Sequence, residues 1–417
     1  MNFSKPRGTK DWYGIEIHKL NEVKNILMSF LKSYCFEEII TPTFESLELF
    51  NKSIGDVTDI AQKELYIFQD KKNRVMALRP EGTSGVVRAY VENKLYANKN
   101  EPTKLGYFLN LFRYERPQNG RLREFHQFGV EYLNINHELY DVECLILANK
   151  IVKKFGLEKN IKLKINYLGN FEQRVQWMGK LTTYFENYKN QLSEDSLNRL
   201  YKNPLRILDD KVDGKLEFVK NAPKLSEFLN EQDNLHFNNI LDGLKSQGIS
   251  YEIDDSLVRG LDYYTGVVFE FVYKDSDGSE LTLIGGGRYS NLVKQTGGPD
   301  QIGLGFAIGI ERLIMILDSI NYKYTFKQSI DIVFGASNYD SYLIALDYAS
   351  KLRELDLIVD LNFGNYKKDS CFRFAIKNQA RNFIFINDKQ EIIIENLLLK
   401  THKIVNSYQE LVEIIKE

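Results

Sequence analysis

A chain of 417 residues with 43% apolar and 27% charged residues is long enough for two or three domains with cores of their own, and too apolar to be disordered. Its formal net charge of -2 excludes a protein that grips nucleic acid over its whole surface, so any such contact must be local. The three cysteines, Cys35, Cys144 and Cys371, form no C-x-x-C pair, the five histidines are scattered without metal-ligand spacing, and no stretch reads as a signal core or membrane span, so a soluble cytoplasmic protein with no metal cluster is expected.

After Asp11, a plausible N-cap, the apolar residues Ile15, Val23, Ile26, Leu27, Phe30 and Leu31 recur near helical period and predict a long amphipathic helix. Residues 38–44 are a β-branched run holding Pro42, suited to an edge strand or an interface. The run from Val75 to Leu78 is a strand that stops at Pro80 and reopens as a helix at Thr83 or Ser84. Glu81 then sits at a strand end, either as a ligand group or as a surface carboxylate on a turn.

Residues 111–131 hold four arginines, Arg113, Arg116, Arg121 and Arg123. Either side of Pro117-Gln118-Asn119-Gly120, polar and aromatic residues alternate with period two, predicting a β-hairpin with a basic tip. Arg113 and Glu115 share one face of the first strand, and Gln127, Gly129 and Glu131 share one face of the second; Phe112, Tyr114, Phe128 and Val130 point the other way. That charged face meets either water or a ligand, and the hairpin alone leaves both readings open.

A helix is expected over 140–154, followed by a Tyr-, Asn-, Lys- and Leu-rich segment of helical period over 170–249, taken as an insertion because glycine-rich strands resume beyond it. Those strands carry Arg259-Gly260-Leu261-Asp262-Tyr263-Tyr264, Gly285-Gly286-Gly287-Arg288-Tyr289 and a run over 303–313, with Arg312 where strand passes into helix. Such dense glycine lets a backbone approach a ligand closely, but neither a P-loop nor a dinucleotide spacing occurs, so bound phosphate would be held by arginines. From Ser329 onward, strands at 330–334, 357–359 and 383–386 alternate with helices at 342–355 and 369–380, predicting a small α/β domain with a mostly parallel sheet. Arg373, Lys377 and Arg381 fall at i, i+4 and i+8, one stripe of a helix, which by itself reads as a solvated face.

In order along nearly the whole chain, Lys5-Pro6-Arg7-Gly8-Thr9-Lys10-Asp11, Leu78-Arg79-Pro80-Glu81-Gly82-Thr83, the arginine hairpin, Leu257-Val258-Arg259-Gly260-Leu261-Asp262-Tyr263-Tyr264 and 303–313 resemble the histidyl-tRNA synthetases, a family of class II aminoacyl-tRNA synthetases. The Arg-Gly-Leu-Asp-Tyr-Tyr run is the specific element, since arginine hairpins and glycine-rich strands belong to class II enzymes in general. The resemblance implies an α+β fold: an antiparallel catalytic sheet flanked by helices over 1–169 and 250–325, a helical insertion over 170–249, and a C-terminal α/β anticodon-binding domain over 329–417. It also implies a homodimer, with the first helix and the Pro42 strand at the interface.

The implied reaction activates L-histidine with ATP and Mg2+ and transfers it to the 3′ end of histidine tRNA. In it Arg113 and Arg259 flank the transferring phosphate, and Glu115, Arg121 and Arg312 join Arg113 on the nucleotide. Histidine is held by Glu81, Gly82, Thr83, Gln127, Glu131, Arg259, Tyr263, Tyr264 and Tyr289, with Glu131 and Tyr264 on the imidazole. Gln118, Arg121 and Arg123 at the tip, and Arg373, Lys377 and Arg381, are candidate tRNA contacts. The C-terminal domain resembles the family more weakly, with Lys367-Lys368-Asp369 where a more typical polar run is expected. Two alternatives stand beside this reading: a non-catalytic regulatory subunit of ATP phosphoribosyltransferase, which is expected to lack the intact signature and the C-terminal domain, and a class II synthetase for another amino acid.

Overall fold

The computed structural model describes residues 3–54, 63–97, 101–118, 120–208, 210, 212–258, 263–275, 277–325 and 330–416. In the first of its two units, Met1–Tyr324, helix α1 (Ile15–Ser33) buries Leu20, Val23, Leu27 and Leu31, three or four residues apart on one face. Its N-cap is Gly14 at φ 56°, not Asp11: the chain enters the helix through a left-handed residue, where a side chain is unfavourable. The run around Pro42 splits into β1 (Glu37–Glu38) and β2 (Phe44–Ser46), which belong to different sheets, because proline has no N–H with which to continue a ladder. After α2 (Leu47–Ile54), strands β3 (Ile67–Gln69) and β4 (Val75–Leu78) join β2 in a three-stranded antiparallel sheet. The chain then reopens as α3 (Thr83–Glu92).

The arms of the arginine hairpin are β5 (Thr103–Phe112) and β6 (Glu124–Leu133), paired from Thr103↔Leu133 to Phe112↔Glu124. The ladder stops short of Arg113, so the tip is longer than the expected turn, and a single bridge, Gln118↔Arg121, closes it. Next come α4 (Leu139–Lys154) and β7 (Ile161–Tyr167). The insertion follows as α5 (Phe171–Glu186), α6 (Glu194–Leu200), α7 (Leu205–Leu208), α8 (Glu217–Lys220) and α9 (Glu231–Ser246). Helix α5 starts at a capping box between Asn170 and Gln173, and buries Trp177, Leu181 and Phe185. Strands β8 (Glu252–Ile253), β9 (Tyr264–Lys274) and β10 (Glu280–Tyr289), the short α10 (Leu292–Gln295), β11 (Gly303–Gly309) and α11 (Ile310–Ser319) complete the unit.

The large sheet runs β1-β5-β6-β11-β10-β9-β7-β8 and is antiparallel except at its outermost pairs, β1 with β5 and β7 with β8. One face, with Phe128, Val130, Phe269, Ile284, Leu304 and Phe306, joins the core formed with α1, α4 and α11. Under β10 on this side Arg288 reaches Asp141 of α4 with two bonds, Nε at 2.7 Å and Nη2 at 2.6 Å, both side chains being buried. Burial pushes the Asp141 carboxyl up and the guanidinium opposes it, so removing one partner leaves an uncompensated charge. Arg288→Met should therefore cost about 3–5 kcal/mol of stability in denaturant unfolding, while the double variant Asp141→Leu with Arg288→Met should recover much of it.

The second unit, Thr325–Glu417, contains β12 (Ile332–Ala336), α12 (Tyr339–Arg353), β13 (Val359–Leu361), α13 (Lys368–Lys377), β14 (Asn382–Ile386), β15 (Ile392–Asn396), β16 (Thr401–Val405) and α14 (Tyr408–Lys416). Its sheet order is β13-β12-β14-β15-β16, parallel in the first two pairs and antiparallel in the last two. The sheet is thus mixed rather than mostly parallel, because the hairpin β15–β16 adds two strands beyond the expected alternation. The expected stripe on α13 also shortens. The helix ends at Lys377, Gln379 takes a left-handed φ of 54°, and Arg381 leaves the helix to pair with Asp331 at 3.4 Å.

Candidate active site

Period two places Gly129 on β6, Gly303, Gly305, Ala307 and Gly309 on β11, and Gly285 and Gly287 on β10 along one face of the sheet. In register, Glu131 faces Gly305 and then Gly287, while Gly129 faces Ala307 and then Gly285. Glycine at these positions makes room for Tyr107 over Gly129, Tyr289 over Gly303 and Glu131 over Gly305, whose side chains border a floor on which a ligand can lie close to backbone.

At one end of this floor stands Glu131, 1% exposed. Its Oε1 accepts the Thr83 hydroxyl at 2.6 Å and its Oε2 accepts the Tyr289 hydroxyl at 2.8 Å. Burial raises its pKa from 4.5 to about 8 against the pull of those two donors, with the Glu81 charge adding to the rise. Glu81 is itself buried, which removes the surface-turn reading: its oxygens accept the backbone N–H groups of Thr83 at 2.6 Å and Ser84 at 2.8 Å, at the start of α3. A carboxylate has room for about two more donors beyond these.

The walls are aromatic. Tyr263 lies 4.7 Å from Tyr264 and 5.6 Å from Tyr289 between ring centroids, and all three are buried. Tyr107 fills the space over Gly82 and Gly129, where an added Cβ would come within 2.3 Å and 2.2 Å of its ring carbon, and its hydroxyl donates to Gln127 at 3.4 Å. Tyr107 escaped the sequence reading, although its place opposite Gly129 follows from the hairpin register. The floor tolerates no substitution at Gly305, whose Cβ would sit 2.1 Å from Glu131 Oε2 and 2.3 Å from the Val130 carbonyl. Gly305→Ala should displace Glu131 and cost about 1–3 kcal/mol in thermal unfolding.

At the other end the cations gather. Arg113 donates from Nε to the Pro80 carbonyl at 2.8 Å and lies over the Phe125 ring at 5.4 Å. Glu115 stands between Arg113 at 3.9 Å and Arg121 at 3.3 Å. Arg312, in the first turn of α11, donates from Nη1 to the Thr282 carbonyl. Burial, and next the like charge of Arg121, pull the Arg312 pKa down to about 10, with Arg113 acting the same way and Glu115 and Glu270 opposing. A buried guanidinium with two further arginines close by makes a site whose electrostatics favour an incoming anion. Glu270 and Thr282 belong to this end too, and nothing in their local sequence marked them.

The other expected residues are placed differently. Gln118 is exposed at the tip, whereas Arg123 is packed: Nε donates to the Glu115 carbonyl at 3.1 Å, the guanidinium lies 4.0 Å over the Tyr114 ring, and its stem covers Gly8. Arg373 and Lys377 are exposed on α13 of the second unit. Arg259 and the following Gly260-Leu261-Asp262 lie outside the described residues.

The family model described as histidyl-tRNA synthetase matches residues 8–313. The chain is 41% identical to the histidine–tRNA ligase of Malacoplasma penetrans (strain HF-2), covering 99% of both chains. The crystal structure of apo S. aureus histidyl-tRNA synthetase superposes with a TM-score of 0.83 at 32% identity, covering 100% of both chains. An ATP phosphoribosyltransferase regulatory subunit/histidyl-tRNA synthetase from Bacillus halodurans C shares the fold at a TM-score of 0.66 and 20% identity, over 93% of this chain and 99% of that one. A glycine-floored sheet with a buried carboxylate at one end and an arginine cluster at the other, matched in sequence over nearly its whole length, has one consequence for classification: the chain belongs to the histidyl-tRNA synthetase family.

Proposed function

We propose that the protein is a histidine–tRNA ligase, which joins L-histidine to ATP as histidyl-adenylate and then transfers the histidyl group to the 3′ end of histidine tRNA. The observation that carries the reading is the buried Glu131, with Thr83 and Tyr289 as donors, at one end of a glycine-lined floor whose other end is cationic. An imidazole presents one N–H and one lone pair, and Glu131 with Tyr264 supplies an acceptor and a donor for them. Glu81, Thr83 and Gln127 take the α-ammonium.

In adenylation a carboxylate oxygen of histidine attacks the α-phosphorus, a P–O bond to pyrophosphate breaks, and no bond to protein forms. Catalysis then rests on positioning and on charge placed where the phosphate oxygens become more negative. Arg113 has a fork already oriented by Pro80 and Phe125, which suits it to hold the α-phosphate and the histidine carboxylate together. Arg259 supplies the second cation, as the family resemblance implies. Arg121, Arg312 and Glu115 take the nucleotide.

Among the described residues no group of three or more His, Cys, Asp or Glu is arranged for a metal ion. Mg2+ is commonly held by one or two carboxylates together with substrate phosphates, and Glu115 and Glu270 beside Arg312 fit that role. The ion would neutralise charge on the departing pyrophosphate.

Homodimer formation is supported by apolar residues that a single chain leaves uncovered around β2 and β3: Ile40 is 75% exposed, Ile67 53% and Phe44 50%. A cytoplasmic setting agrees with the unpaired Cys35, Cys144 and Cys371, and no described helix is long and apolar enough to cross a membrane. Exposed Gln118, Arg373 and Lys377 are the candidate tRNA contacts, with Arg123 and Arg381 in supporting positions. Exchange of pyrophosphate into ATP should depend on histidine and on none of the other amino acids; exchange with a different amino acid, or none at all, overturns the reading.

A further inference from the structure

A side chain from the helical insertion reaches the end of the floor that carries Tyr264. Strand β9 is flanked by β7 and β10, but its pairing with β7 ends at Tyr167↔Val267, where β7 turns away into the insertion. Beyond that point Tyr264 and Thr265 pair with β10, Tyr264 opposite Tyr289 and Thr265 opposite Arg288. The ladder is also irregular here. Partners jump from Val268 to Thr265 along β9, and Gly266 takes a φ of 60°, with its N–H donated to the Gly169 carbonyl at 2.8 Å. This strand end carries two tyrosines of the pocket, Tyr263 and Tyr264.

Arg174, in the first turn of α5, reaches this strand end. Its Nη1 donates to the Tyr264 carbonyl at 2.6 Å. The turn that carries it is fixed in its own right: Asn170 and Gln173 cap each other at 2.7 Å and 3.0 Å, and Gln173 Nε2 reaches Asp233 of α9 at 2.5 Å. We propose that Arg174 is a positioning residue for histidine selection, contributed by the insertion, which touches no substrate and holds the Tyr264 backbone so that its ring stays beside Tyr263 and in line with Tyr289 over Glu131. The proposal rests on the reading of Tyr264 as an imidazole contact.

The test is histidine-dependent pyrophosphate exchange by the full chain, with KM measured separately for histidine and ATP. Arg174→Met keeps the stem and removes the donors; it should raise the histidine KM about tenfold, the factor that corresponds to one lost charged hydrogen bond, and leave the ATP KM within about twofold. Trp177→Phe, which removes the indole bond to the Pro223 carbonyl and loosens the same helix, should leave the histidine KM unchanged. Tyr264→Phe reports on the pocket reading itself and should raise the histidine KM. An unaltered histidine KM in Arg174→Met beside a raised one in Tyr264→Phe overturns the proposal and leaves the pocket reading standing. An equal rise in Trp177→Phe overturns it too, since the effect would then be general loosening. No change in Tyr264→Phe removes the pocket reading, and the proposal with it. Should Arg174→Met not fold, Arg174→Lys carries the test: an ammonium on a different stem should raise the histidine KM by about threefold or more, and an unchanged value overturns the idea.

Discussion

Arg113→Ala should lower kcat for histidine-dependent pyrophosphate exchange by about 10²–10³-fold, the range found when one preorganised donor to a developing charge is removed. The guanidinium is set before any substrate arrives, with Nε on the Pro80 carbonyl and its plane near the Phe125 ring, so little reorganisation is needed when negative charge grows on the α-phosphate. Histidine affinity measured by equilibrium dialysis in the absence of ATP should change by only a few-fold, because the demand for this charge peaks in the transition state. Arg113→Lys keeps the charge but neither the fork nor the stacking, and should recover only part of the loss. Equal losses in rate and in histidine affinity would assign Arg113 to ground-state binding instead. The side chain is half-buried and its partners are one carbonyl, one ring and a distant carboxylate, so Tm should move little.

Glu131→Gln should reduce kcat/KM for histidine by about 10²–10³-fold, through loss of a buried charged acceptor for the imidazole N–H. The same substitution tests the ionisation of the site. The unfolded chain gives up this proton near the ordinary carboxylate value of 4.5, whereas the folded chain keeps it to about 8. Between those values the folded state binds more protons, so stability from this group is full below the lower value, falls as pH rises, and levels off above the upper one. Glu131→Gln removes that dependence. Without histidine, its Tm relative to the parent chain should improve steadily from pH 5 to pH 8.5; a constant difference would mean that Glu131 titrates normally. Since an imidazole N–H calls for the anionic form, histidine binding near pH 7 should also release protons, readable by calorimetry in buffers of different ionisation enthalpy.

Much of this site lies in short-range pattern. Alternation along 124–133 was enough to put Gln127, Gly129 and Glu131 on one face and Phe128 and Val130 on the other, since strand side chains alternate whatever the strand's neighbours are. The stop at Pro80 and the helix beginning at Thr83 follow from proline's missing donor in the same local way. The errors are local as well. Asp11 had the right chemistry for a cap, but Gly14 supplied the backbone conformation that the helix entry uses. The stripe through Arg381 assumed a helix one turn longer than the left-handed Gln379 allows. Ile392-Ile393-Ile394 was a readable strand signal, and its omission turned a mixed sheet into a mostly parallel one.

Alternation, proline and glycine positions and charge spacing are properties of neighbours in the chain, so the sequence alone determined which side chains share a strand face and where β4 stops and α3 begins. Folding decided how those groups behave. Whether Glu81 was a surface carboxylate, whether Glu131 would keep its proton to about 8, and whether Arg123 would reach outward or brace the hairpin against Tyr114 depend on burial. Burial is set by segments such as Asp141 and Arg288, or Arg174 and Tyr264, that meet across more than a quarter and about a fifth of the chain. Such meetings leave no local pattern, because the free energy of a charge is fixed by the dielectric and the partners around it, and only the closed fold supplies those.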